Sequence, residues 1–393
     1  MARGIYNAKN HLYAFKCFLR AMFSRNSLIL VGCHTNAFGG NAYHFIDKCK
    51  DMPGVNMVAA VTTASIYPCR MASIPCVFKG GRLLRLLAWR ARVVCCTGRD
   101  LSDFGFSCPG TFHVALWHGM PMKAVGIQQK PMPVYLERMD LTLATSSFTK
   151  EIMMRAFGET EERVAVTGEP KTDAFWDTGP IGRVRQKLSH YSKIILYLPT
   201  FRDIARMTSA LAPVIDLEAS VKPIRALQEC ADIRACLESQ NACLLLGIHP
   251  FLQSTACGNL QPPFLDAKEL NAQTEHLIAA ADFIISDYSS VAIDLLAIQK
   301  PFVLFCPDYD EYEARRGLPY FDVREMFSGH FCENAVQVAG EISHALASPS
   351  WRQDSRRKLH DIFHLYTDGK SSQRALTEIL SKTAHPVRTL LLA

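Results

Sequence analysis

The chain has 393 residues, of which 49% are hydrophobic and 20% charged. That composition excludes wholesale disorder, and the length predicts two domains of roughly 150–200 residues. The net charge of +6 is uneven: residues 1–99 hold 14 Lys and Arg against two acids, whereas the other 294 hold 29 against 35.

Residues 1–26 are predicted as a helix with Leu12, Phe15, Phe18, Leu19 and Met22 near one face. Lys9, Lys16, Arg20 and Arg25 add charge with no acid beside them. That is the pattern of an interfacial helix on anionic lipid. A solvated helix packed on its own domain is the plainer alternative. No apolar run approaches the roughly 18–20 residues that cross a bilayer, and no secretory leader is expected. The 14 cysteines lack C-x-x-C spacing and sit mostly in apolar context, as at Cys33, Cys95, Cys243 and Cys306. They read as reduced thiols of a cytoplasmic protein.

Short apolar runs at 27–33, 57–61, 93–97, 113–117, 141–145 and 164–167 predict strands. A Gly-rich turn (34–41, HTNAFGGN) follows the first run and leads into a helix from Ala42. A second helix, 81–92, carries Arg82, Arg85, Arg90 and Arg92 around a leucine face. The break at 177–183 (DTGPIGR) is the candidate linker. Beyond it, strands are predicted at 194–198, 243–247, 283–286 and 302–305, with helices at 223–240, 272–281, 291–299 and 335–347. The alternation predicts an α/β chain of two doubly wound, Rossmann-like domains, 27–180 and 181–393, behind the basic helix 1–26. In such folds ligands bind beyond the carboxyl ends of the strands.

Polar groups gather at those ends. In LWHGMPMK (116–123), His118 follows a strand, Gly119 and Pro121 make a tight turn, and Lys123 adds a cation. His118 is placed to act as a general base on a hydroxyl, or else to bond a carbonyl as a structural histidine. His249 in GIHP (247–250) ends a strand of the second domain. A histidine from each domain can act on one phosphodiester, with a core histidine as the alternative. In SDYSSVAID (286–294), Asp287 ends a strand, and Ser289 and Ser290 open a helix. The helix N–H groups form an anion site or are simply capped by serine. LPTFRD (198–203) carries Thr200, Arg202 and Asp203. The Arg202 fork suits a phosphate, with a surface salt bridge as its alternative. Lys171 and Asp173 lie in GEPKTD (168–173), and Ser371, Ser372 and Arg374 in DGKSSQR (368–374). Each of these loops is a phosphate contact or an ordinary helix start. No P-loop, zinc-like cluster or glycosidase carboxylate pair is present, and no cofactor is implied. Whether a divalent metal is needed stays open. No nucleic-acid motif accompanies the basic stretch, so no nucleic-acid partner is expected.

Taken in order, LWHGMPMK, SSFTKEIMMRAFG (146–158), GEPKTD, ILYLPTFRD (195–203), GIHP, DFIISDYSSVAIDLLAIQKPFVLF (282–305), YEARRGLPYFD (312–322) and DGKSSQR resemble the CDP-glycerol glycerophosphotransferase family of teichoic-acid primases and polymerases. The resemblance covers about residues 110–375. It implies a GT-B-like fold with the two domains facing a cleft. It further implies transfer of glycerol phosphate or a related polyol phosphate from a CDP-polyol to a hydroxyl of a lipid-linked or polymeric glycan acceptor, in teichoic-acid or capsule synthesis. The family's two essential histidines carry over onto His118 and His249. Its donor-phosphate ligands carry over onto Ser289, Ser290 and Arg374. Family members are peripheral on the cytoplasmic face of the membrane. GEPKTD departs from the family's usual Arg, because Lys171 keeps the charge and loses the fork. A sugar-nucleotide glycosyltransferase or epimerase on the same plan is the alternative enzyme, and a non-catalytic membrane adaptor the alternative outside enzymes.

Overall fold

A computed structural model describes residues 28–32, 39–66, 69, 72–99, 111–128, 138–200, 202–205, 214–247, 260–316, 320–348 and 350–383. The expected helix at 1–26 lies outside them. The chain forms two compact units. One comprises Met1–His118, Val134–Asp173 and Leu365–Ala393, the other Gly119–Pro133 and Ala174–His364.

The first unit is built on seven parallel strands: β1 (Leu28–Gly32), β2 (Asn56–Val61), β3 (Cys76–Phe78), β4 (Val93–Cys96), β5 (Phe112–Ala115), β6 (Leu141–Ala144) and β7 (Val164–Val166). Their order is β3-β2-β1-β4-β5-β6-β7. Ile29 of β1 registers with Met57 on one side and Val93 on the other. All of β1 is buried, which is why it reads as an unbroken apolar run rather than an alternating one. Its side chains still alternate between faces. Ile29 and Val31 join Phe45 and Ile46 of the helix Gly40–Cys49. Leu28 and Leu30 meet Leu84, Leu87 and Ala88 of the helix Arg82–Arg90.

The second unit holds β8 (Lys193–Tyr197), a short hairpin of β9 (Asp203–Ala205) and β10 (Val214–Ile215), β11 (Ala242–Leu246), β12 (Phe264–Asp266), β13 (Phe283–Ser286), β14 (Phe302–Phe305) and β15 (Phe331–Cys332). Its main sheet runs β12-β11-β8-β13-β14-β15, all parallel. Both sheets start in the middle and wind out to either side, so each has one switch point: β1/β4 in the first and β8/β13 in the second. The doubly wound α/β expectation therefore holds. The sheet-edge strands β3, β12 and β15, two or three residues each, are absent from the sequence expectations, whereas the equally short β7 falls within the run expected at 164–167.

Three expectations need correction. The helix Ser371–Thr383 belongs to the first unit, whereas the sequence assigned everything beyond 180 to the second. Its Ala375, Leu376 and Ile379 are buried in the β1–Phe45 core, and apolar periodicity reveals a buried face without revealing its partner. The expected linker at 177–183 is the start of the helix Thr178–Lys187. Gly179 and Pro180 fall in its first turn, where no N–H needs an intrahelical acceptor, so proline does not break it. The helix expected at 223–240 is two, Leu217–Glu229 and Ala231–Ser239, separated at Cys230, whose ψ of 117° is extended.

A buried histidine makes the second unit acid-sensitive. His330 stacks on Phe302 with its Nδ1 3.1 Å from the Phe302 carbonyl and its Nε2 3.0 Å from Ser355 Oγ. Burial, reinforced by Arg352 and Arg356 and opposed by that carbonyl, lowers its pKa to about 4. An unfolded histidine titrates near 6.5, so the unfolded chain takes up the proton first as pH falls. The contribution is fully present above about pH 6.5 and is lost towards pH 4, roughly 2 kcal/mol having gone by pH 5. Urea unfolding at pH 7 and pH 5 should show that loss, and His330→Gln, less stable at pH 7, should lack that part of the slope.

Candidate functional site

In the first unit, β5 ends at Ala115 and the chain turns through Leu116, Trp117 and His118 into Gly119. Trp117 has φ 60° and Gly119 φ 134°, so glycine is required at the second position and tryptophan is held against its preference at the first. His118 is exposed, and its Nδ1 lies 2.8 Å from the carbonyl oxygen of Thr97, just past β4. A carbonyl only accepts, so in the neutral ring Nδ1 carries the hydrogen and the basic lone pair is on Nε2. The Trp117 ring packs on the imidazole, centroids 4.2 Å apart, and meets Phe157 edge-on. Below it, buried Arg99 donates to Thr142 Oγ1 at 2.8 Å, ion-pairs with buried Glu159 and lies 4.2 Å over the Phe157 ring. Burial lowers the Arg99 pKa, with Glu159 opposing. Asn41, at the start of the helix Gly40–Cys49, donates through Nδ2 to the carbonyls of Leu116 and Trp117, both at 3.1 Å, and to Glu169 Oε1 at 2.9 Å. Its Oδ1 accepts from the Lys171 backbone N–H at 2.9 Å. Asn41, Thr97 and Glu169 were not predicted as parts of the His118 turn, since nothing local couples them to it.

The GEPKTD and DGKSSQR loops meet in this unit. The Asp173 carboxylate accepts from the backbone N–H groups of Ser371 (2.7 Å) and Ser372 (2.8 Å), capping the helix Ser371–Thr383. Gly168 has φ 80°, and a Cβ there would stand 2.3 Å from Ser371 Oγ, so the loops touch only because it is glycine. Arg374 donates to the Thr167 carbonyl at 2.9 Å and to both Asp368 oxygens at 3.0 and 2.8 Å, and stacks on Tyr366. The Arg374 hydrogen bond holds the Asp368 pKa below its usual value. The expected phosphate site at Ser371, Ser372 and Arg374 is thus corrected: a carboxylate of the chain fills the helix start, and another takes the guanidinium. Lys171 is buried with its Nζ 3.9 Å from Glu169 Oε2.

In the second unit the groups expected beyond β8 and β13 do come together, at the switch point. Thr200 donates to Asp287 through its backbone N–H (2.8 Å) and its hydroxyl (2.6 Å). Arg202, 3% exposed, bonds Asp287 Oδ2 at 3.0 Å and grips Asp308 with Nε (2.8 Å) and Nη2 (3.1 Å). Tyr288 and Tyr312 stack at 3.9 Å, each with its ring within reach of the guanidinium, and the Tyr288 hydroxyl donates to Asp308. Burial works against the charge on Arg202, but Asp287 and Asp308 outweigh it and raise its pKa. For Asp308 the balance runs likewise: burial raises its pKa, and Arg202 and Tyr288 bring it below the usual range. Arg202 is therefore neither a phosphate fork nor a surface salt bridge; two carboxylates occupy it. Asp308 went unassigned because it lies 106 residues from Arg202.

Ser289 and Ser290 are half-buried, and Ser289 Oγ accepts from the Val291 N–H at 3.3 Å. The helix they open is only Val291–Asp294, followed by a 3-10 turn, Leu295–Ile298, rather than a helix over 291–299. Lys123 is half-buried. His249 and the side chain of Asp203 lie outside the described residues. Among the described residues, no three or more His, Cys, Asp or Glu gather as a metal site, and no helix is long and apolar enough to cross a membrane.

A family profile described as CDP-glycerol:poly(glycerophosphate) glycerophosphotransferase matches residues 13–381. The teichoic acid ribitol-phosphate polymerase TarK of Staphylococcus aureus (strain NCTC 8325 / PS 47) is 25% identical over 285 residues, covering 68% of this chain and 52% of that one. The teichoic acid glycerol-phosphate primase of Bacillus subtilis (strain 168) is 26% identical over 233 residues, 58% of this chain and 54% of that one. The chain thus spans about half the length of these curated relatives. The solved structure of the wall teichoic acid polymerase TagF superposes with a TM-score of 0.71 at 19% identity, covering 95% of this chain and 98% of that one. A UDP-N-acetylglucosamine 2-epimerase follows at a TM-score of 0.52 and 15% identity, with coverage of 91% and 96%. At these identities the likeness is one of fold, and that fold is GT-B-like.

Proposed function

The chain belongs to the CDP-glycerol:poly(glycerophosphate) glycerophosphotransferase family, and on that premise we propose that it transfers glycerol phosphate or a related polyol phosphate from a CDP-polyol to an acceptor hydroxyl, releasing CMP. In this reaction His118 Nε2 takes the proton of the acceptor hydroxyl. The oxygen attacks the β-phosphorus of the CDP-polyol, the bond from that phosphorus to the bridging oxygen breaks, and CMP leaves with the electron pair. The observation that carries the reading is the exposed imidazole at a strand end with Nδ1 tied to the Thr97 carbonyl. That tie presets the tautomer a base needs. The family resemblance carries its second essential histidine onto His249 and its donor-phosphate ligands onto Ser289 and Ser290. Arg202 acts at one remove, holding Asp287 two residues before Ser289. Incubation with a panel of CDP-polyols, following CMP by chromatography, tests the function. Release from CDP-glycerol or CDP-ribitol is expected; release from neither, whatever glycerol-phosphate or ribitol-phosphate primer is supplied, sinks it.

The acceptor in this reading is membrane-linked, and the protein works at the inner face of the cell membrane. Support comes from the helix Arg82–Arg90, where Arg82, Arg85, Leu86 and Trp89 share one exposed face. Trp89 is 80% exposed and Leu86 45%, and no acid lies in the helix. A basic face with an exposed indole suits anionic headgroups, each Arg near the surface contributing about 1 kcal/mol. Flotation on phosphatidylserine vesicles should fall about tenfold or more in Arg85→Ala/Trp89→Ala, with no change in the unfolding midpoint. Flotation equal to that of the unaltered chain would remove this helix from the membrane contact.

A further inference from the structure

We infer that Asn41 is a positioning residue for His118, its side-chain amide fixing the peptide that carries the imidazole. This deepens the proposed function, because it takes His118 as the base. The carbonyl of Trp117 belongs to the peptide joining Trp117 to His118, and Asn41 Nδ2 holds it together with the preceding carbonyl, both at 3.1 Å. That grip falls where the backbone most needs one. Trp117 sits at φ 60°, a conformation unfavourable to a bulky residue unless neighbours impose it. With the peptide plane set by Asn41, the ring face by Trp117 and Nδ1 by Thr97, the imidazole has one orientation.

The hydrogen-bond pattern explains why position 41 is asparagine. Three acceptors surround Nδ2: two carbonyls and the Glu169 carboxylate. One donor, the Lys171 N–H, faces Oδ1. Aspartate would set a carboxylate against all three acceptors, and alanine would leave buried carbonyls without donors. Asn41 is 1% exposed and Glu169 0%, so no solvent makes good the loss. The rival explanation is that Asn41 only ties the Glu169–Lys171 loop to the helix Gly40–Cys49.

A pair of substitutions separates the two. Asn41→Asp with Glu169→Gln rebuilds the loop tie, since the glutamine amide donates to the new carboxylate, which still accepts from the Lys171 N–H. It does not rebuild the grip on the Leu116 and Trp117 carbonyls. The expected result is an unfolding midpoint restored towards that of the unaltered chain, kcat for CMP release from CDP-glycerol still about 10–100-fold down, and KM within about twofold. Nitrogen NMR of labelled histidine, with the His118 resonances assigned through His118→Gln, should show Nδ1–H imidazole in the unaltered chain and a shift towards Nε2–H in the double variant. Recovery of both kcat and the Nδ1–H signature in the double variant would overturn the proposal in favour of the loop tie. Should aspartate at 41 not be tolerated, Asn41→Ser, whose hydroxyl is too short to span both carbonyls, gives the same NMR reading. If the unaltered chain turns over no CDP-polyol, the functional reading fails, while the tautomer still decides whether Asn41 sets the ring.

Discussion

His118→Ala should slow CMP release from CDP-glycerol by about 10²–10⁴-fold, the range for removing a positioned general base. The loss should fall on kcat, because the base acts on the acceptor proton and not on donor binding. Stability should change by only about 1 kcal/mol or less, since the ring is exposed and its bond to the Thr97 carbonyl is an ordinary neutral one. Steady-state kinetics and thermal unfolding of the same preparation check both halves. CMP release at the unaltered rate would remove His118 from the chemistry, and lost activity with a collapsed melting point would make it a structural histidine.

Arg202→Met should destabilise the second unit by about 3–5 kcal/mol, the cost of leaving buried carboxylates without their cation. Asp287 is fully buried, and it loses Arg202 while still holding Thr200. Asp308 loses a two-bond grip and keeps the Tyr288 hydroxyl. The same network makes an acid prediction. Arg202 and Tyr288 hold the Asp308 pKa below that of an unfolded carboxylate, so its share of stability is present above the usual carboxylate range and is lost as pH falls through it. Denaturant unfolding of Arg202→Met at pH 7 checks the main effect. A variant as stable as the unaltered chain, with a raised KM for CDP-polyol, would return Arg202 to the phosphate role.

The strands show how far the chain can be read without its fold. Residues 194–198, 283–286 and 302–305 were predicted within a residue of β8, β13 and β14, because a strand buried on both faces needs a continuous apolar run and that requirement is local. His118, Thr200 and Asp287 were legible for a related reason: a polar residue just past such a run sits at the carboxyl end of a strand, where α/β sheets place their ligands. The charged residues were less legible. The same Arg202 is a phosphate fork if solvent faces it and a strut if Asp308 does, and sequence does not say which.

The sequence by itself determined two doubly wound parallel sheets, the strand end that presents His118, and the family motifs in order. These follow from runs of a few residues whose burial and turn chemistry are set by their neighbours along the chain. Tertiary structure alone decided which charges were already committed. Asp173 caps a helix 198 residues away, Arg202 grips Asp308 across 106, and Asn41 holds the Trp117 carbonyl across 76. The last helix returns to the first sheet for the same reason, because an apolar face shows that it must be covered and only the folded chain shows by what.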